Sequence, residues 1–543
     1  MRIGSNMNSR DWRFSFTTAA LKVVVNEGKG EKESVAAVSA VYITKDDDVE
    51  PGLVFTISSA LASNIVVSNS GCSFYMATRQ SIGAEKITWT PVDIATTLNL
   101  FTLGSFIDEF TINSGSMQFH PRSTELASPA IIVILIPRRR LAADRQFIFM
   151  KPSVGSALTI EGAPFVVDSP AMFLGFKTTG TVSYVQEPKG SGAIGTSGMI
   201  LSDVRYLEGM EGSAVLGPSG RSIGILAGSL RKSNGEGELS VICPWTMIVS
   251  DIARQFIPEH RTTCAAIRWP RFRIEDASAL ATLMSEALNV AAPKDDTCMK
   301  SIVCIYVHDR ARRRRSWGSG IVISKNMVVT NRHVLKSDAG SVTIVFPESN
   351  TSRQVRQILN PIPNMDIVYL VFDTPHGDAL PATIASGDEL VAQMTQITSV
   401  GFGLFPPQSL SAKPIMPLVS NGTISQVVKL PLLPHSKGPE VALFSVSAGC
   451  WNGSSGGGIF TRTPDRLLLG MITSNGRVDA TGTIYPQLGF IIPSNMILLG
   501  WEAIKQGGEV HLSEAVVRLW RMQKTHEDVH ENIEWSGGVK VKL

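Results

Sequence analysis

The sequence predicts an all-β fold in two similar tandem domains, each built as a double β-barrel. Short β-rich runs separated by Gly, Ser, Asn and Pro fill residues 20–258 and again residues 298–500, a pattern typical of barrels and sandwiches. Helix-like patterns are recognised between these two regions and after the second one. A chain of 543 residues is also too long to fold around one hydrophobic core.

The predicted strands are short apolar or β-branched runs bounded by turn residues. In the first region they are 53–57, 64–67, 130–136, 165–167 and 223–226. In the second region they are 301–307, 318–323 and 327–330. The 130–136 run is the most apolar and stops at Pro137, which indicates a buried strand.

Two segments predict helices. Residues 275–288 begin near Asp276 or Ser278, both suitable N-cap residues, and we interpret this helix as the connection between the domains. Residues 513–520 have the apolar spacing of an amphipathic helix. We expect this second helix to dock on a barrel.

The two regions repeat each other in three blocks that keep the same order. Residues 179–183 match 421–425, 209–215 match 453–459, and 241–248 match 490–497. Three matches in register predict a duplicated domain.

Composition and charge exclude several classes of function. The formal net charge of +3 gives no support for nucleic acid or an anionic membrane as a partner, and we interpret the basic runs 138–140 and 312–315 as solvated loops. No apolar run approaches the roughly 18 residues of a membrane span, and the N-terminus does not form a secretory signal. Six cysteines without a Cys-x-x-Cys pair predict free thiols in a reducing compartment and no metal site. No cofactor is predicted.

The segment Trp-Asn-Gly-Ser-Ser-Gly-Gly-Gly-Ile at 451–459 carries the strongest chemical signal. Its glycines permit backbone angles that residues with a Cβ avoid, so Ser455 is predicted to lie on a tight turn. The N–H groups of Gly453 and Ser455 could then converge on a developing oxyanion.

Two upstream residues supply what a serine nucleophile needs. A serine hydroxyl is a poor nucleophile until a neighbouring base takes its proton. Histidine is the residue type suited to that role near neutral pH, and His333 lies directly after the 327–330 strand. Asp366 opens a second apolar strand and is predicted to orient the imidazole. The order His333, Asp366, Ser455 is the order used by chymotrypsin-like proteases.

The first region lacks the same three groups. Glu211 lies at the position of the nucleophile, Ala130 falls where Asp366 falls, and no histidine precedes His120. We therefore interpret this domain as a degenerate pseudo-protease with a structural or regulatory role, and we favour plain scaffolding. The predicted division is an N-terminal extension 1–19, a degenerate domain 20–258, a linker 259–296, a catalytic domain 297–505 and a tail 506–543.

The walls of the substrate pocket are predicted from the segments around the nucleophile. They are Ala448, Gly449, Thr473, Ser474, Asn475 and Gly489. None carries a carboxylate, so selection for Arg or Lys is not expected. An uncharged pocket suits a small or apolar side chain such as Cys, Ala or Val.

Together these motifs resemble the trypsin-like catalytic domain of HtrA-type enzymes over residues 298–500. HtrA enzymes carry a PDZ module after the protease, and the residues after Gly500 are too few to form one. With a degenerate protease-like domain in front, the chain resembles the peroxisomal leader peptide-processing proteases, whose trypsin-like domain is C-terminal.

The resemblance implies limited proteolysis in the peroxisomal matrix, where members remove N-terminal leaders and process β-oxidation enzymes. It also implies import through a Ser-Lys-Leu-type terminus. Lys542 and Leu543 fit that signal for the import receptor, whereas Val541 is bulkier than the usual small residue. The sequence leaves open whether the chain forms a homo-oligomer. The alternatives are an HtrA-like quality-control protease in another compartment, such as the mitochondrion, and a non-catalytic peptide-binding scaffold.

Overall fold

A computed structural model describes most of the chain. The described residues are 14–26, 33–45, 51–57, 72–82, 87–114, 117–121, 129–166, 170–186, 198–233, 237–256, 297–309, 314–335, 341–347, 349, 351–373, 377, 379–385, 387–405, 416–477 and 484–521. The predicted strand 64–67, the linker helix 275–288 and the terminal Lys542 and Leu543 lie outside them.

The chain divides into two units. The first comprises residues 1–111, 118–230 and 239–293, and the second comprises 112–117, 231–238 and 294–543. No helix in the described part of the chain is long and apolar enough to span a membrane.

The first strands of the first unit form one sheet in the order β2-β3-β7-β5-β4-β1-β8. These strands are β1 (Phe14–Asn26), β2 (Glu33–Lys45), β3 (Leu53–Ile57), β4 (Cys72–Thr78), β5 (Thr90–Asn99), β7 (Ile131–Pro137) and β8 (Arg145–Gln146). Because β1 also pairs with β2, six of the strands close into a ring around a buried apolar core.

A second sheet follows in the order β12-β9-β10-β11-β14-β13-β6. Its strands are β6 (Met117–His120), β9 (Ala157–Gly162), β10 (Phe176–Val185), β11 (Ile200–Ser202), β12 (Ala214–Leu216), β13 (Ser222–Lys232) and β14 (Glu238–Pro244). Pairing of β12 with β13 closes six strands and leaves β6 as an added neighbour of β13.

The second unit repeats this plan. Its first sheet has the order β19-β18-β15-β16-β17-β21-β20, with β15 (Ile302–Asp309), β16 (Arg314–Ser324), β17 (Met327–Thr330), β18 (Ser341–Phe346), β19 (Thr351–Gln354), β20 (Gln357–Leu359) and β21 (Val368–Val371). A closed barrel follows in the order β22-β23-β24-β27-β26-β25. It contains β22 (Gln396–Gly401), β23 (Leu418–Leu430), β24 (Glu440–Val446), β25 (Gly458–Thr461), β26 (Leu468–Arg477) and β27 (Ile484–Pro493).

Helices are few among the described residues. They are α1 (Phe101–Ser114), α2 (Pro170–Phe173), α3 (Trp245–Phe256), α4 (Thr297–Lys300), α5 (Arg332–Leu335), α6 (Ser494–Gln506) and α7 (Glu514–Arg521). Helix α7 packs on the closed barrel as expected, because Val516 and Trp520 are buried and the Trp520 indole donates to the Ala442 carbonyl at 3.1 Å. Ser513 precedes the helix and donates through its backbone to Leu432.

The all-β prediction and the duplication are confirmed. The barrel strands β9 to β14 are ordered in their sheet as β22 to β27 are in theirs. Strands β3 and β17 coincide with the predicted runs 53–57 and 327–330. The predicted strand at 165–167 is wrong, since Phe165 has a φ of +49° and lies in a turn.

Candidate active site

The turn after β17 presents His333. Thr330, the last residue of the strand, donates its hydroxyl to the Ser319 carbonyl at 2.7 Å, which ties the end of β17 to β16. The one-turn helix α5 then buries Val334 and Leu335, so the preceding imidazole faces outward. Its side chain is 50 % exposed.

Asp366, in the turn before β21, holds His333 through two hydrogen bonds. The ring Nδ1 lies 2.6 Å from Oδ2, and the His333 backbone N–H donates to Oδ1 at 2.9 Å. A carboxylate so placed favours the tautomer with the proton on Nδ1, an assignment made from the hydrogen bonds. The lone pair of Nε2 is then available to act as a base.

Ser455 lies on a turn that only glycine permits on either side of it. Gly453 has a φ of +97° and Gly456 a φ of +85°, values that L side chains rarely adopt. A Cβ on Gly456 would also lie 1.9 Å from the Ser319 carbonyl oxygen. A backbone bond from Ser454 to Trp451 closes the turn, and one from Gly456 to Ile472 fixes it against β26, both at 2.8 Å.

The turn leaves two backbone donors free. Among the described residues, the N–H groups of Gly453 and Ser455 donate to no protein acceptor, whereas the neighbouring N–H groups of Ser454, Gly456 and Gly457 do. Two unpaired N–H groups beside a serine hydroxyl are the donors that an oxyanion hole requires.

The Ser455 hydroxyl donates to the Thr473 carbonyl at 3.0 Å. Within the described part of the chain, it makes no hydrogen bond to His333. The structure therefore joins His333 to Asp366 and places Ser455 on the turn, with its hydroxyl bonded to strand β26.

Hydrogen bonds from Ser319 and Trp317, which were not predicted from the sequence, support the turn. Ser319 donates its hydroxyl to the Gly453 carbonyl at 3.0 Å and accepts the Phe402 N–H at 2.8 Å. The Trp317 indole donates to the Phe402 carbonyl at 3.0 Å. The only signal in the sequence was the Gly-Ser-Gly run at 318–320.

The predicted pocket residues lie on segments that adjoin each other in the closed barrel. Asn475 pairs with Gly489 across β26 and β27, and a Cβ on Gly489 would lie 2.7 Å from the Cys450 Sγ. Burial raises the pKa of the Cys450 thiol to about 12, so the thiol stays neutral. Cys450, which belongs to the wall segment just before the nucleophile, therefore adds a small uncharged group beside Gly489.

The remaining predicted wall residues are small or polar. Ala448 is fully buried, and a Cβ on Gly449 would meet the Trp451 ring at 2.7 Å. The Ser474 Oγ and the Asn475 Oδ1 are buried and have no hydrogen-bond partner among the described residues.

The first unit has the same turn but no serine at the position of Ser455. Gly209 and Gly212 have φ values of +82° and +87°, and a Cβ on Gly212 would lie 1.9 Å from the Ser39 carbonyl. Glu211 thus takes the place of Ser455, as predicted. The register pairs Thr56 with Val133 and Thr330 with Val368, so Ile131, one residue after the predicted Ala130, takes the place of Asp366.

Known proteins resemble both the second unit and the longer chain. The family profile described as "Trypsin-like peptidase domain" matches residues 318–471, a range that contains His333, Asp366 and Ser455. Two curated relatives are named peroxisomal leader peptide-processing protease. The human protein is 28 % identical over 388 residues, covering 68 % of this chain and 60 % of its own length. The mouse protein is 25 % identical over 401 residues, covering 69 % and 61 %.

The chain thus spans about three fifths of the length of the relatives it matches. Among solved structures, the HtrA-type protease AlgW with tripeptide has a TM-score of 0.31 at 18 % identity, over 39 % of this chain and 62 % of that one. The active form of the Rv3671c protease from M. tuberculosis has a TM-score of 0.29 at 18 % identity, over 40 % and 85 %. By the family profile and the curated relatives, residues 318–471 resemble a trypsin-like peptidase domain, in a chain that resembles the peroxisomal leader peptide-processing proteases.

Proposed function

We propose that this chain is a serine endopeptidase that cleaves peptide bonds through an acyl-enzyme. The observation that carries the proposal is the double hydrogen bond from His333 to the Asp366 carboxylate. A histidine held in this way is prepared to accept a proton at Nε2, and the turn that bears Ser455 lies in the same peptidase domain.

In the proposed reaction, the Ser455 Oγ bonds to the scissile carbonyl carbon and its proton moves to the His333 Nε2. The carbonyl oxygen becomes an oxyanion that the N–H groups of Gly453 and Ser455 stabilise. His333 then returns the proton to the leaving amine as the C–N bond breaks. Water repeats the sequence on the acyl-enzyme, which releases the acid product and restores the serine.

The resting hydrogen bond from Ser455 to the Thr473 carbonyl adds one step to this scheme. The hydroxyl must leave Thr473 before it can donate to His333. A rotation about χ1 between staggered rotamers is the change that we expect substrate binding to favour.

For specificity, we propose a small or apolar side chain on the acyl side of the cut, such as Cys, Ala or Val. The pocket residues are Ala448, Gly449, Thr473, Ser474, Asn475 and Gly489, and the neutral Cys450 thiol adds no charge. A pocket without a carboxylate has no partner for a Lys or Arg side chain.

For substrates and place, the names of the human and mouse relatives support leader removal in peroxisomes. We propose limited proteolysis of matrix enzymes, including enzymes of β-oxidation, with import through Lys542 and Leu543. The alternative is quality-control proteolysis in another compartment. Imaging the chain without its last three residues separates the two, because only the first proposal requires that peroxisomal targeting be lost.

We also propose that the first unit is a pseudo-protease with a scaffolding role. Glu211 replaces the nucleophile, and Ile131 replaces the orienting carboxylate. The edge of β13 is also occupied: β6 lies beside it, and a Cβ on Gly228 would lie 2.4 Å from the His120 carbonyl. Gly228 corresponds to Ser474, so the chain itself fills the edge where a peptide would add.

A fluorophosphonate probe on the full chain tests the catalytic proposal. We expect covalent labelling at Ser455 and none in the Ser455→Ala variant with its fold intact by circular dichroism. A stable, folded wild-type chain that resists labelling would instead favour a peptide-binding scaffold. Mass spectrometry of peroxisomal N-termini with and without the chain tests the substrate class.

A further inference from the structure

Asn331 bridges the two parts of the site. Its side chain is completely buried, and its Nδ2 donates to the Asp366 carbonyl at 3.0 Å and to the Thr473 Oγ1 at 3.2 Å. Thr473 in turn accepts the Ser455 hydroxyl through its carbonyl at 3.0 Å. One amide therefore connects the residue that orients the base to the residue that holds the nucleophile.

This arrangement leaves a buried acceptor unpaired. The Asn331 Oδ1 is buried and has no hydrogen-bond partner among the described residues. An unpaired buried polar atom costs about 1–3 kcal/mol. A flipped amide is disfavoured because its Oδ1 would then face the Asp366 carbonyl, which can only accept. An apolar residue of the same size would avoid that cost. A buried polar atom with no partner therefore calls for an explanation beyond stability.

The first unit provides an internal comparison. Structural bonds of the turn are present in both units: Thr56 donates to the Ser39 carbonyl at 2.8 Å as Thr330 donates to Ser319. The N–H of Gly212 donates to Leu226 as that of Gly456 donates to Ile472, each at 2.8 Å.

Those shared bonds fix which residues correspond at the bridge. Ile57, which follows Thr56, corresponds to Asn331, and Ala227, which follows Leu226, corresponds to Thr473. Both are buried apolar residues. The unit without base, carboxylate and nucleophile thus lacks both the bridging amide and the hydroxyl that accepts from it, although it keeps the bonds that shape the turn.

We propose that Asn331 is a positioning residue for the reaction, which fixes Asp366 relative to Thr473. This inference rests on the proposed function. By holding the Asp366 backbone, the amide keeps the carboxylate against the His333 ring. By donating to the Thr473 hydroxyl, the amide also holds strand β26 in place, and the Thr473 carbonyl on that strand accepts the resting hydrogen bond of Ser455. Loss of the bridge lets the two parts of the site move apart, which slows proton transfer between them.

The test measures the rate of fluorophosphonate labelling at Ser455 against pH, on the full chain and on Asn331→Leu. Leucine is close in size to asparagine and removes both the bridge and the unpaired oxygen. We expect labelling to slow about tenfold to a hundredfold. We also expect the acid limb of the pH profile to move to lower pH, because a looser carboxylate stabilises the imidazolium less. A role limited to stability would leave that limb in place.

The matched control is Thr56→Val, which removes a buried hydrogen bond of the same turn in the first unit. It should lower the unfolding midpoint in urea and leave the labelling rate and its pH profile unchanged. Thr473→Val removes the other end of the bridge at nearly constant volume. It should slow labelling in the same direction, and the double variant with Asn331→Leu should be no slower than Asn331→Leu alone.

An Asn331→Leu chain that labels at the wild-type rate with an unmoved acid limb would overturn the inference. Losses of labelling rate that multiply in the double variant would also overturn it. If Asn331→Leu does not fold, the test rests on Thr473→Val alone. An unchanged labelling rate and an unchanged pH profile in that variant would then contradict the proposed bridge. A wild-type chain that is not labelled at all refutes the proposed function instead, so the two failures are distinguishable.

Discussion

Glu211 and Ser455 occupy the same position in two copies of one turn. Each follows a glycine by two residues and precedes another, and all four glycines have φ values between +82° and +97°. In the second unit the side chain is a hydroxyl bonded to Thr473. In the first it is a buried carboxylate that accepts the Tyr206 hydroxyl at 2.6 Å. The backbone alone therefore does not make this turn catalytic.

Because the turn is shared, the same mutation in each copy separates stability from activity. Gly456→Ala and Gly212→Ala each place a methyl group 1.9 Å from a carbonyl oxygen at positive φ. We expect each to lower the free energy of unfolding by at least about 2 kcal/mol. Only Gly456→Ala should also abolish labelling of the folded fraction by the fluorophosphonate.

Gly507→Ala serves as the control for backbone strain. Gly507 has a φ of +69°, and no atom lies within 4 Å of the position that an added methyl group would take, so only strain of about 1 kcal/mol is expected. Urea unfolding measures the free energy of unfolding of all three glycine variants. Equal labelling of Gly456→Ala and Gly212→Ala would contradict the assignment of the second turn as the active one.

The predicted chemical residues of the site rest on local signals in the sequence. The Gly-x-Ser-Gly-Gly run, the histidine after β17 and the aspartate before β21 each depend on a few neighbouring residues. The contact between His333 and Asp366 follows from the strand order, since Thr330 pairs with Val368, which brings the turns that bear these two residues together.

Features set by long-range packing were not predictable. The bond from Ser455 to Thr473 and the bridge through Asn331 depend on how separate segments of the chain pack. Asn331 and Thr473, for example, lie more than a hundred positions apart in the sequence. The run 165–167 looked like a strand because it is apolar, yet Phe165 bends at positive φ and donates its N–H to Glu208. Leu404 does the same in the second unit, with a φ of +66° and a bond to Asn452.

Asp366→Asn should impair the reaction far more than it changes the fold. The amide can keep the shape, but it no longer favours the proton on Nδ1 or the charged imidazolium. We expect the labelling rate at Ser455 to fall roughly ten-thousandfold. Asp373→Asn is the control, because Asp373 is exposed and pairs with the exposed Arg356. Labelling of Asp366→Asn within about threefold of wild type would argue against His333 as the base.

Glu161 should contribute strongly to the stability of the first unit. It is buried and accepts two bonds from Arg145, at 2.8 and 2.9 Å, and one from the Thr18 hydroxyl at 2.8 Å. Thr18 belongs to the first sheet and Glu161 to the second, so the carboxylate joins them. Glu161→Ala leaves a guanidinium that is only 24 % exposed with the longer 3.5 Å contact to Asp144 in place of two short hydrogen bonds.

We expect this substitution to cost about 3 kcal/mol in the free energy of unfolding. Asp93→Ala, which breaks an exposed pair with Arg138, should leave the urea midpoint unchanged. Labelling at Ser455 should persist in both variants when they are folded. A midpoint of Glu161→Ala equal to that of Asp93→Ala would show that the buried pair contributes nothing.

Glu211 should make stability depend on pH. Burial raises its pKa above the ordinary value of 4.5, and the Tyr206 hydroxyl and the N–H groups of Glu211 and Gly209 only partly offset this. The folded state therefore holds its proton to higher pH than the unfolded state does. As a result, the folded state is progressively destabilised as the pH rises from about 4.5 through the raised pKa.

Glu211→Gln removes that titration and keeps an acceptor for Tyr206. We expect the variant and the wild type to be similarly stable near pH 4, with the variant increasingly the more stable as the pH rises. The difference should level off once the wild-type carboxyl is ionised in both states. Urea unfolding of both chains across this range measures it, and labelling at Ser455 should not change. A difference that shrinks as the pH rises would mean that the carboxylate is stabilised in the folded turn. Glu211 would then act as an internal anion for the two vestigial N–H donors.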